Sequence, residues 1–61
     1  MEFKLEINLE DSAFDEMPGY EIARILRELA ERVEYNTEVN KGEGGTLKDI
    51  NGNIAGEWGI Q

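Results

Sequence analysis

The 61-residue sequence predicts a small α+β domain of order β-α-β-β, a three-stranded sheet with one helix packed on one face. Three patterns predict it. Apolar and polar residues alternate along the first ten positions, an apolar stripe of helical spacing fills the middle, and an Asn-Gly pair separates two strand-like runs at the end. Residues 1–61 are read as a single domain, because a chain this short has room for only one core.

In the first segment Phe3, Leu5, Ile7 and Leu9 alternate with Glu2, Lys4, Glu6 and Asn8, the period of a strand with one buried face, over residues 2–9. Glu10-Asp11-Ser12 ends that run, and Phe14 and Met17, ahead of Pro18-Gly19, are expected to plug the end of the core. From Tyr20 to Glu34 the spacing of Ile22, Leu26, Leu29 and Val33 describes one helical face, widened by Ala23, Ile25 and Ala30. Leu26 and Leu29 are expected at the centre of its contact with the sheet. The solvent side carries Glu28 with Arg32 and Arg27 with Glu31 at i,i+4 spacing, each pair worth about 0.2–0.5 kcal/mol. Tyr35 to Gly45 reads as a loop, either a plain polar connection or a lid.

Leu47-Lys48-Asp49-Ile50, Asn51-Gly52 and Asn53 to Ile60 read as a hairpin, since Asn-Gly tolerates the positive φ of a tight turn. Ile54, Trp58 and Ile60 share one parity and are expected to face the core with Leu47. A three-residue loop with a bulge at Gly52 is the other register, and it would move Ile50 between core and surface. The far sheet face would carry Glu2, Lys4, Glu6, Asn8, Lys48 and Glu57. Gly56 and Gly59 flank Trp58 and leave room for a close neighbour, whether the protein's own helix, a ligand or a second chain.

Fourteen acidic and six basic side chains give a formal charge of −8, which disfavours nucleic acid and anionic membranes and favours a basic protein surface or a cation. With no cysteine and no histidine, a disulfide framework is excluded and the usual zinc, copper and iron–sulfur ligands are missing. No cofactor is expected. Ser12 is the only serine and has no histidine to activate it, so the chain is not expected to be an enzyme. Asp49, Asn51 and Asn53 alternate as in a calcium loop, but Gly52 comes too early and Ile60 occupies the closing position, so their expected role is to support the turn. A cytosolic location is expected, as no apolar run reaches membrane length and the first residues lack a signal-peptide pattern. A core this small without disulfide or metal also predicts a homo-oligomer, through an edge strand or the uncovered sheet face.

The segments Phe3-Lys4-Leu5-Glu6-Ile7, Ala23 to Glu34 and Leu47 to Trp58 together resemble a group of small accessory proteins encoded by tailed bacteriophages and prophages. The resemblance covers most of the chain and carries over no functional residue. It implies a context, antagonism of bacterial defence by binding a host protein or a nucleotide signal. Two functions then compete. In one, an oligomeric sponge traps a nucleotide messenger, with Arg24, Arg27 and Lys48 on the phosphates and Tyr20 or Trp58 stacked on the base. In the other, an acidic inhibitor covers a basic, nucleic-acid-binding surface of a host protein.

Overall fold

The computed structural model describes residues 1–36 and 39–61. Strand β1 (Phe3–Ile7) leads through a short 3-10 turn (Ser12–Phe14) into helix α1 (Pro18–Tyr35), followed by strands β2 (Gly44–Lys48) and β3 (Ile54–Ile60). The strands form one antiparallel sheet in the order β1-β3-β2, with the helix on one face, so the architecture is the predicted α+β domain. The chain's last strand is thus its central one. The loop reading of Tyr35 to Gly45 is shortened at both ends, since α1 runs through Tyr35 and β2 begins at Gly44; Thr37 and Glu38 lie outside the described residues, and with them that part of the lid-or-connection question.

Helix α1 starts two residues earlier than the apolar stripe suggested, because Pro18 occupies its first turn. A proline is favourable there, as its missing N–H has no partner to lose. The helix buries Glu21, Ile25 and Leu29, with Ile22 and Val33 packed partly against the same core of Phe14, Leu47 and Ala55. Leu26 corrects the expected stripe: it lies beside the contact and is 39% exposed. Likewise Phe14 plugs the core, but Met17 stands in solvent. The helix packs mainly on β2 and covers β1 only at its end, where Ile7 reaches the core, so Phe3, Leu5 and Leu9, expected inside, are each more than a third exposed.

The hairpin adopts the longer of the two registers. The Asp49 N–H donates to the Asn53 carbonyl at 2.8 Å, the Gly52 N–H to the Asp49 carbonyl at 3.0 Å, and Gly52 has φ +85°. This is a three-residue loop closed by a glycine bulge, and it sends Ile50 to the surface. A second irregularity follows, where Leu47 pairs with Gly56 but Lys48 pairs with Ile54. The extra residue, Ala55, turns into the core in place of Ile54, which is exposed. The parity argument therefore holds for Trp58, Ile60 and Leu47 and fails at Ile54.

Trp58 stacks on Phe3 with ring centroids 5.4 Å apart, and its indole lies over Gly45, where an added Cβ would sit 3.1 Å from Nε1. The room beside Gly56 is filled by none of the three expected neighbours: the backbone of β1 itself, at Glu6 and Ile7, closes against it.

Candidate functional site

Polar chemistry concentrates where the start of α1 meets the hairpin tip. Glu21 is buried because its position falls on the packed face of the helix, and its carboxylate is fully engaged there. The Arg24 guanidinium donates Nε to Oε1 at 2.7 Å and Nη2 to Oε2 at 2.9 Å, and the Ile50 N–H donates to Oε2 at 2.8 Å. These bonds, led by the one from Arg24, hold the Glu21 pKa below its ordinary value against the opposing effect of burial. Arg24 also donates to the Lys48 carbonyl at 3.2 Å and pairs through Nη1 with Glu28 at 3.0 Å. Every nitrogen of its guanidinium is thus in use, and its own pKa is raised, first by the bond to Glu21.

This replaces the expected helix-surface pairs. Among the described residues the ion pairs are Arg24 with Glu21 and Arg24 with Glu28, while Arg32 donates to the Thr46 carbonyl at 3.3 Å. Two backbone carbonyls on the outer edge of β2, those of Thr46 and Lys48, are therefore engaged by helix arginines.

Asp49 organises the turn. Its Oδ1 accepts the backbone N–H groups of Asn51 and Asn53, both at 2.9 Å, so of the Asp/Asn series it is the Asp49 side chain that takes the expected turn-supporting role. The residue is 4% exposed, and no N–H group among the described residues reaches its buried Oδ2. The Asp11 carboxyl lies against it. A hydrogen bond shared with Asp49, reinforced by burial and by the Asp49 charge, pushes the Asp11 pKa up. Burial pushes Asp49 the same way, but the Asn53 N–H, Asp11 and the Asn51 N–H outweigh it and hold Asp49 low. Among the described residues no group of three or more Asp, Glu, His or Cys side chains is arranged to hold a metal ion.

Beside these groups an open recess of about 360 Å³ lies between the 3-10 turn, the first turn of α1 and the hairpin tip. Asp15, Glu16 and Glu21 line it together with Met17, Tyr20 and Ile50. The last three are large apolar side chains left in solvent. Of the residues singled out from sequence, Tyr20 stands on this recess, Arg24 and Lys48 meet just behind it, and Arg27 is exposed on the helix. Trp58 belongs elsewhere: it is half-buried opposite Gly45, three residues along β2 from Lys48 or about 10 Å. Its indole Nε1 is buried without a partner. Met17, Ile50 and the acidic pair Asp15 and Glu16 were missed, because residues far apart in sequence are brought together by a hairpin tip whose register the sequence left open.

No helix among the described residues is long and apolar enough to cross a membrane. Compared with protein-family models, with characterised proteins and with solved structures, the chain matches none.

Proposed function

We propose that this chain is a non-catalytic binding protein whose recess at the start of α1 takes a basic, apolar-tipped segment of a partner protein. The observation that carries the reading is the grouping of exposed Met17, Tyr20 and Ile50 around a recess lined with carboxylates, its lining among the described residues holding neither Lys nor Arg. Apolar anchors in such a setting supply affinity by leaving water, and the flanking Asp15 and Glu16 select a positively charged partner and speed its approach. The overall charge of −8 acts in the same direction.

The paired-arginine clamp of a nucleotide sponge has less support. Arg24 is held by Glu21, Glu28 and the Lys48 carbonyl, so a phosphate would have to displace bonds already made. Under the resemblance to phage accessory proteins, the partner is a host protein of the bacterial cytosol with a nucleic-acid-binding surface.

Titration of an amphipathic Lys/Arg-rich peptide carrying one Leu anchor, beside a panel of linear and cyclic nucleotides, tests the reading by calorimetry. The peptide should bind, Tyr20→Ala with Ile50→Ser should weaken it about tenfold or more, and Arg27→Ala should leave it unchanged or slightly faster. Nucleotide binding that weakens in Arg27→Ala, with no peptide binding, would overturn it.

A further inference from the structure

The two edges of the sheet are treated differently. On the β2 side, the carbonyls of Thr46 and Lys48 are taken by Arg32 and Arg24 of the helix. On the β1 side no side chain among the described residues donates to the strand's outward carbonyls. Glu2 exchanges backbone hydrogen bonds with Gln61, and the Asn8 N–H donates to the Ala55 carbonyl, so the even-numbered residues of β1 face β3. By the alternation of an antiparallel ladder, the N–H and C=O groups of Phe3, Leu5 and Ile7 point outward along a free edge. The side chains of the same strand are also exposed toward the helix side, Phe3 by 47% and Leu5 by 37%.

We propose that β1 pairs antiparallel with β1 of a second copy of this chain, about a two-fold axis at Leu5, to give one continuous six-stranded sheet. Charge decides both the occupant and the register. Only odd-numbered residues offer free backbone groups, and three antiparallel registers of that parity pair at least three residues of β1 with the partner's β1. Centred on Lys4, the pairing sets Lys4 on the partner's Lys4 and Glu2 on the partner's Glu6. Centred on Glu6, it sets Glu6 on the partner's Glu6. Centred on Leu5, it sets Lys4 on the partner's Glu6 and Glu6 on the partner's Lys4, with Phe3 beside the partner's Ile7. Opposite charges directly across a strand pair attract and like charges repel, so the third register is selected.

A further strain is relieved in that register. Within the chain Glu6 sits opposite Glu57 across the β1–β3 pair, and neither has an ion-pair partner among the described residues. The incoming Lys4 of the partner would flank Glu6 on its free side. The two-fold axis runs perpendicular to the sheet, so both helices lie on one face. Leu5 of each copy then meets Leu5 of the other, and Phe3 meets the partner's Ile7, in the trough between the helices, which removes apolar surface from water.

The test is charge exchange read by sedimentation equilibrium. The parent chain should be dimeric at about 50 μM, and Lys4→Glu and Glu6→Lys should each weaken the dimer about tenfold or more. An equimolar mixture of the two variants should recover it, because the new carboxylate at position 4 then faces the ammonium groups at position 6 and the remaining pair is Lys4 with Glu6. The double variant Lys4→Glu, Glu6→Lys should also be dimeric. Glu6→Lys is the sharpest arm, since it reduces the magnitude of the net negative charge and removes the like-charge contact with Glu57, so general electrostatics would make it associate more readily. Circular dichroism of each variant confirms that it folds, and the double variant carries the test if a single one does not. A monomeric parent chain overturns the proposal. So does a Glu6→Lys chain that associates as tightly as the parent, or folded variants whose mixture stays monomeric.

Discussion

Leu29→Ala and Leu26→Ala delete the same three carbons one helical step apart, and the structure assigns them different costs. Leu29 is 4% exposed and packs against Phe14, Ile25, Leu47 and Ala55, so its truncation removes a fully buried side chain and leaves a cavity. The loss should be about 2–5 kcal/mol. Leu26 is 39% exposed, so only part of its surface leaves water on folding and any gap opens to solvent. Its loss should be about 1 kcal/mol, with little cavity contribution. A domain of this length has a total stability of roughly 3–9 kcal/mol, so Leu29→Ala should leave much of the chain unfolded where Leu26→Ala leaves it folded. Urea titration at one fixed protein concentration, followed by circular dichroism and by Trp58 fluorescence, measures both. Fixed concentration matters because self-association would add to apparent stability. Equal losses for the two variants, or a greater loss for Leu26→Ala, would refute the assignment of the buried helix face.

Three further outcomes follow from the turn and the carboxylates. The Asp11 pKa is raised above its ordinary 3.8, so its contribution is complete below that value and is lost as pH rises through the folded-state pKa. Glu21 is lowered from 4.5, so its contribution is complete above that value and is lost as pH falls through its folded-state pKa. Melting temperature should therefore pass through a maximum in weak acid, and Asp11→Asn should raise it at neutral pH and remove the rise on mild acidification; a profile unchanged by Asp11→Asn would show that the Asp11–Asp49 contact has no energetic consequence. Gly52→Ala should cost about 1 kcal/mol by forcing a side chain to positive φ, and Gly52→Asn less, as read from paired chemical denaturation curves. Gly56→Ala should cost about 1–3 kcal/mol or more, because its Cβ meets the Glu6 carbonyl, while Gly59→Ala has ordinary space and should stay within about 0.5 kcal/mol.

The local signals of this sequence determined its elements. Alternation at Phe3, Leu5 and Ile7 can be satisfied by a strand, the stripe from Ile22 to Val33 by a helix, and the glycine after Asn51 by a turn, since each depends on neighbours within a few residues. The −8 charge and the missing cysteine and histidine likewise bounded the chemistry before any fold was known. What the tertiary structure alone decided is how those elements share a small core. Central placement of β3 depends on which of two strands β1 joins, and both choices satisfy the same alternation. The bulge at Ala55 exchanged Ile54 for Ala55 in the core, because a single extra residue inverts the parity on which the sequence argument stood. The helix leaned toward β2, so Leu26 and the apolar face of β1 were left at the surface although their pattern called for burial. Arg24 shows the same limit at the candidate site. Its i,i+3 relation to Glu21 and i,i+4 relation to Glu28 were visible in the sequence, but burial of Glu21 against the hairpin made that ion pair structural, and burial is a property of the packed chain.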